Sequence, residues 1–361
     1  YAQIGNGGYG ARGDHSAHIE VTATGDIDVK AGTGAGADGI RASAMIGHGG
    51  WDADNTNGDL TLGNRGNIFV ETTTGNITLE GGDNQDDNWA QVGHGGRSTN
   101  GANTGNIHLG AVAGSVTIHS GREDRNFAMV GHGGYQSRGD HTGDICVHAA
   151  TGVSLDSEDS NRSLGFTVIG HGGYDSDGVH SGAITVTNST SGDIELLAGD
   201  GANDRTAQIG HGGINNGNNA LSGSISVVNL GGDVNLDAGN NSWRGAIIGH
   251  GDAQEANTAG NRTGGLNVYA TGAITMTDGG GNSGAYISHQ TNSGIGSVSY
   301  AGSGVQAAGD SGYSLVAGNG ITFGNDQLNG QGNALSLAET IGAAIADGDV
   351  TICLLYTSPS P

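Results

Sequence analysis

One pentapeptide, Ile/Val-Gly-His-Gly-Gly, recurs along the chain and limits what it can fold into. It reads IGHGG at residues 46 to 50, 169 to 173 and 209 to 213, and VGHGG at 92 to 96 and 130 to 134. A first copy at 4 to 8 carries Asn6 at the histidine position, and a late copy at 248 to 252 ends on Asp252. The first glycines of these seven copies are separated by 42, 46, 38, 39, 40 and 39 residues. A near-constant period of this length marks one supersecondary unit repeated along a solenoid or a propeller.

Within each unit the apolar residues keep the same places. A short strand runs into the motif, as in AQVGHGG, AMVGHGG and AQIGHGG, with Ala90 and Val92, Ala128 and Val130, and Ala207 and Ile209 on one parity. That parity faces inward, and Gln91, Met129 and Gln208 are expected to face outward. After the motif comes a polar loop, then two strands of the form GDIxVxA. There Ile27, Val29 and Ala31 alternate with Asp28 and Lys30, and Gly-Asp or Gly-Asn turns such as Gly25-Asp26 and Gly192-Asp193 separate the pair. Three short strands in roughly 40 residues predict an all-β, right-handed parallel β-helix of triangular section, one coil per repeat. Two shorter coils per repeat is the alternative. A propeller blade needs four strands and a Trp-Asp signature that these units lack.

Composition supports a thin core. Ile, Val, Leu and Phe make up 67 of 361 residues, a share typical of disordered chains, but their periodic placement overrules that reading. With 74 glycines and two prolines, short strands and tight turns remain, and long helices are excluded. The net charge of −24, with Lys30 as the single lysine, gives no basic stripe for nucleic acid or anionic lipid. No apolar run approaches the ~18 residues that span a bilayer, so no membrane insertion is expected. Two cysteines provide no disulfide scaffold.

The domain reading is residues 1 to 252 as regular repeats and 253 to 352 as a degenerate continuation. Residues 353 to 361 read as a non-native tail, because CLLYTSPSP holds both prolines and no repeat position explains it. The second unit carries an extra strand-like segment at 58 to 63, read as a side insertion. The segment AYISHQ at 285 to 290 falls where a further motif is due, and 333 to 348 reads as a helical turn or an irregular rung. Because the first residues already lie inside a repeat, the chain is read as an internal fragment.

Several residue columns invite chemistry. Asn6, His48, His94, His132, His171, His211 and His250 fall on one repeat position. The parity of the preceding apolar residue points them inward, as a structural ladder bonded from rung to rung. A straight file of imidazoles offers collinear neighbours rather than the tetrahedral set a zinc site wants, so no metal is assigned. A second column, His15, His141 and His180, is read as an exposed loop, where Asp14, Asp140 and Asp177 could join it around a divalent ion. Two of these loops contain Arg-Gly-Asp, at Arg12 to Asp14 and Arg138 to Asp140, which common descent of the repeats explains. Calcium is the one ion the acidic loops suggest: DADNTNGD at 52 to 59 imitates an EF-hand loop without its closing Glu, and GGDNQDDN offers diffuse acidity. Tyr9, Trp51, Tyr135 and Tyr174 follow the motif and could stack on sugars, but Arg97 and Ile214 interrupt them. No catalytic residue and no cofactor is assigned.

The tandem GDIxVxA strands, glycine-rich turns and acidic, lysine-poor composition resemble filamentous-haemagglutinin-like exoproteins and autotransporter-type adhesins of Gram-negative bacteria. The resemblance covers residues 1 to about 350. It implies secretion through an outer-membrane partner transporter. It also implies a place in the secreted or outer-surface fraction, as a stiff stalk whose loops adhere to host or neighbouring-cell surfaces, glycans among them. The N-terminal secretion domain of that family does not occur in these residues, and GHGG is not one of its motifs. The alternatives are a carbohydrate-active β-helix enzyme, which calls for an acid–base cluster confined to a few coils, and a glycan-binding solenoid. An ice-binding solenoid would need a flat threonine column, which Thr22, Thr24, Thr72, Thr74, Thr185 and Thr187 do not keep.

Overall fold

In the computed structural model, the described residues are 1–33, 42–53, 63–160, 162–200, 204–215, 219–239, 244–251, 262–277, 279 and 283–287. Further strands lie at 313–317, 321–323, 328–329, 333–334 and 350–354. The strand-like segment at 58 to 63 lies outside them apart from Gly63. So do Ser288, His289, most of 333 to 348, and 355 to 361; Cys353 and Leu354 end the strand Val350–Leu354.

Among the described residues there is no helix, and the strands, apart from the antiparallel pair Leu328–Asn329 and Asn333–Ala334, stack in parallel as a β-solenoid with about 40 residues per coil. The second to sixth coils each contribute five strands rather than the three expected from sequence. In the fourth regular coil these are Ala128–Val130, Gly133–Tyr135, His141–Thr142, Ile145–Ala149 and Val153–Asp156. Each pairs in register with its counterparts one coil away, giving five walls that run along the axis. The two additional strands, Gly-Gly-Tyr and a dipeptide, carry no apolar alternation, which is why periodicity does not reveal them.

The core is a set of aliphatic columns. Ile68, Ile107, Ile145, Ile184 and Ile225 stack in the fourth wall, and Leu79, Ile118, Leu155, Leu196 and Leu236 in the fifth; all are essentially inaccessible. One residue type repeated at one position lets each coil present its neighbour with the surface it would present to itself, so few apolar residues suffice.

The outward assignment of Gln91, Met129 and Gln208 is wrong: all three are fully buried. Met129 shares a second apolar cluster with Met45, Trp89, Phe127, Phe166, Val168, Tyr135 and Ile214, which come from both sides of the motif. The chain therefore bends back at the motif, and the far side of the first wall gains a core of its own. The glycines make this bend possible. Gly133 and Gly134 sit at φ of 105° and 131°, and a Cβ on Gly131 would lie 1.8 Å from the carbonyl oxygen of Gly170 in the next coil. At the same bend the Gln91 amide donates to the carbonyls of Gly131 and Gly133, at 2.9 and 3.2 Å, and the Gln208 amide to those of Gly249 and Gly251.

Candidate functional site

The motif histidines form the predicted inward column, with side chains at most 1% exposed from His48 to His250. Neighbouring rings lie parallel, with centroids 4.8–4.9 Å apart. They are bonded from coil to coil, through backbone groups rather than ring to ring. Each Nδ1 receives the backbone N–H of the equivalent residue one coil earlier: Asn6 to His48 at 2.9 Å, His48 to His94 at 3.0 Å, His94 to His132 at 2.9 Å. The series continues from His132 to His171, His171 to His211 and His211 to His250, each at 3.0 Å. Each Nε2 meets a carbonyl oxygen at the turn between the third and fourth walls: Ala17, Gly66, Gly105, Gly143, Gly182 and Gly223, at 2.7–3.1 Å.

That pattern fixes the protonation state. A backbone N–H can only donate, so Nδ1 holds a lone pair; a carbonyl can only accept, so Nε2 carries the hydrogen. Every ring is the neutral Nε2–H tautomer, and neither nitrogen is left for a metal or a proton. Burial pushes the imidazole pKa down at His48, to about 4 at His132, and well below the usual histidine value at His94 and His171. Asn6 closes the column through its backbone N–H, while its side chain is exposed.

The second column corrects the exposed-loop reading. His141 and His180 are fully buried and stacked at 5.0 Å, and His15 is partly buried. In register with them lie Asn64 and Asn103, giving the chain His15, Asn64, Asn103, His141 with contacts of 3.1, 2.8 and 3.2 Å. The next positions are His180 and Leu221. Neither nitrogen of His180, nor Nε2 of His141, has a hydrogen-bond partner. Burial lowers the His180 pKa to about 3.

The imidazoles of this column and the aspartates beside them do not converge. Asp14 pairs with Arg65 at 3.3 Å, Asp140 accepts the Val179 N–H at 2.9 Å, and Asp177 faces Arg138 at 3.7 Å. Arg138 to Asp140 is built into the wall: the Arg138 N–H donates to Thr99 and the Gly139 N–H to Asp177. The 52 to 59 loop lies beyond the described residues after Ala53. In the 81 to 88 segment the carboxylates are engaged by the following coil, Asp87 by Arg97 and Arg125, and Asp86 by Arg125. Arg97 does not interrupt the aromatic column but completes it. Its guanidinium lies 4.1 Å from the Trp51 ring centroid and 4.8 Å from that of Tyr135, which stacks on Tyr174 at 4.8 Å. With Trp51 and Tyr135 each 8% exposed, their faces are covered, and they offer no platform for a sugar.

Other features escaped the sequence reading. Trp89, Phe127 and Phe166 stack at 5.5 and 4.8 Å in the second core, and an aromatic just before the strand that enters the motif in three successive repeats was the visible signal. Arg205 is fully buried, with its guanidinium donating to the carbonyls of Gly121, Arg122, Ser157, Glu158 and Arg162; no spacing announced it. On the outer face of the fifth wall, His119 sits between Asp156 at 3.6 Å and Glu158 at 3.2 Å, and Arg122 holds Glu158 at 3.1 Å. Burial raises the carboxyl pKa of Asp156 and of nearby Glu195.

Among the described residues no helix is long and apolar enough to cross a membrane, and no group of three or more His, Cys, Asp or Glu is placed to hold a metal ion. In comparisons with known proteins, no family model, no curated protein and no solved structure matches the chain.

Proposed function

We propose that this chain is a structural spacer within a large secreted or surface-displayed exoprotein of the adhesin type, holding adhesive parts away from a bacterial surface. The supporting observation is the motif column itself. From His48 to His250, the nitrogens of each motif histidine are spent on backbone groups of adjoining coils and turns, so the most repeated polar residue of the chain serves cohesion along the axis. A rod built this way resists being pulled apart, because separating two coils breaks five strand pairings and the imidazole link together. The direct test inserts the segment between an outer-membrane anchor and a binding domain on a Gram-negative cell. The spacer reading predicts a trypsin-resistant segment that extends the reach of the binding domain and sustains adhesion under flow. Cleavage within the coils, or no gain in reach, contradicts it.

The carbohydrate-active enzyme reading is favoured by one specific observation: Asp156, Glu158, Glu195 and His119 gather on neighbouring coils. Paired carboxyls about 5 to 9.5 Å apart are what glycoside hydrolysis needs. Release of reducing ends from polysaccharide, abolished by Asp156→Asn, would establish that reading; none from any substrate tried would leave the spacer reading in place.

A further inference from the structure

A groove of about 430 Å³ runs across the outer face of the fourth wall over the first four coils. Its lining includes His18, Asn67, Phe69, Asn106, His108 and Asp144. One margin is a ladder of side chains that cap the backbone. His18 Nδ1 accepts the Asn67 N–H at 3.0 Å, Asn67 Oδ1 the Asn106 N–H at 3.0 Å, Asn106 Oδ1 the Asp144 N–H at 2.9 Å, and Asp144 Oδ1 the Ala183 N–H at 2.8 Å. With each Oδ1 tied down, the carboxamides cannot flip, and the Nδ2 groups of Asn67 and Asn106 are left to donate outward one coil apart.

The floor is the half-buried Phe69 ring, with the His108 imidazole stacked on it at 4.7 Å and 10°. That stack depends on a missing side chain. Gly110 lies beside His108, and a Cβ there would come within 2.9 Å of His108 Nε2. Unlike the motif glycines, Gly110 is not at positive φ, so it is the ring and not the backbone that needs a glycine.

We propose that this groove binds a neutral oligosaccharide. A sugar ring offers an apolar C–H face for Phe69 and an edge of hydroxyls that both donate and accept, matching fixed amide donors beside the carboxylates of Glu20 and Asp144. The lining contains no Lys or Arg, and the chain carries −24, so phosphate, sulfate and uronate ligands are repelled. A cationic amine would meet the carboxylates but face the outward amide donors. This inference supplies a ligand class for the spacer reading without depending on it.

Saturation-transfer NMR on the full chain, with lactose, cellotriose and diacetylchitobiose as probes, tests the site, and sulfated lactose and spermidine serve as charged comparisons. At least one neutral probe should bind, and Phe69→Ala should weaken it tenfold or more while Phe69→Trp retains it. Asn106→Asp removes the outward donor but keeps the backbone cap, as Asp144 does one coil on, and should weaken binding several-fold with unchanged melting. Gly110→Ala, which displaces His108, should also weaken it. No neutral probe binding, binding indifferent to Phe69 and Asn106, or stronger Phe69-dependent binding of the sulfated sugar or the polyamine would each overturn the proposal. Failure of the surface-display test alone would leave it standing.

Discussion

Two files of histidine run side by side through this solenoid, equally buried and with nearly the same ring spacing, yet they stand in opposite chemical situations. In the motif column both nitrogens of His132 are occupied, Nδ1 by the His94 N–H and Nε2 by the Gly105 carbonyl. In the neighbouring column His180 has neither nitrogen paired. Stacking and burial therefore do not decide what a histidine contributes here. The backbone groups within its reach do: the glycine bend turns an N–H and a turn carbonyl towards the first file, whereas the second file is linked chiefly through the side chains above and below it, as in the run His15, Asn64, Asn103, His141.

Acid should produce the largest effect, and it strikes both files. Buried neutral imidazoles have folded-state pKa values below the unfolded value of about 6.5, so their stability contribution is present above that pH. It is lost as pH falls from 6.5 towards the folded values, about 4 for His132 and about 3 for His180. At about 1.4 kcal/mol per pK unit, His132 alone accounts for roughly 3 kcal/mol over that interval. Urea midpoints followed from pH 7.5 to 4 should fall steeply below 6.5; a flat profile would mean that the imidazoles are not held neutral.

Single substitutions then separate the files. His132→Ala orphans the His94 N–H and the Gly105 carbonyl in a dry interior, and at about 1 to 3 kcal/mol each it should cost about 3 to 5 kcal/mol in denaturant melts. His180→Leu removes no hydrogen bond and places a leucine directly before Leu221 in register, so it should change stability by no more than about 1 kcal/mol and could raise it. Equal costs for the two would erase the distinction. At the small end, Arg138→Ala removes an exposed pair 3.7 Å long and should move stability by less than about 0.5 kcal/mol, confirming that cohesion resides inside.

Most of the architecture was legible because the aliphatic columns are periodic: Ile19 and Val21, then Ile27 and Val29, with their counterparts in later coils, announced two walls and the coil length. What stayed hidden follows from glycine. A Gly-Gly-Tyr strand such as Gly133–Tyr135 has no alternation to read, so two walls were missed. The bend it creates buries Gln91 and Met129, which strict alternation assigned to solvent. His141 and His180 were misplaced because polar flanks such as Gly139-Asp140 resemble a loop, although their N–H groups pair along the axis as strand residues do. The inward position of the motif column and its linkage from coil to coil were legible, but its partners were not, since a repeat shows which residues align and not which backbone groups the next coil presents.

The central claim is that every motif histidine is a neutral Nε2–H imidazole pinned between backbone groups of adjacent coils and turns. Long-range proton–nitrogen correlation NMR on histidine-labelled protein reads this tautomer residue by residue. The account predicts an unprotonated Nδ1 and a protonated Nε2 for His94, His132, His171 and His211, unchanged from pH 7.5 down to 5.5. Averaged nitrogen shifts, or titration near pH 6.5 in the folded protein, would contradict it.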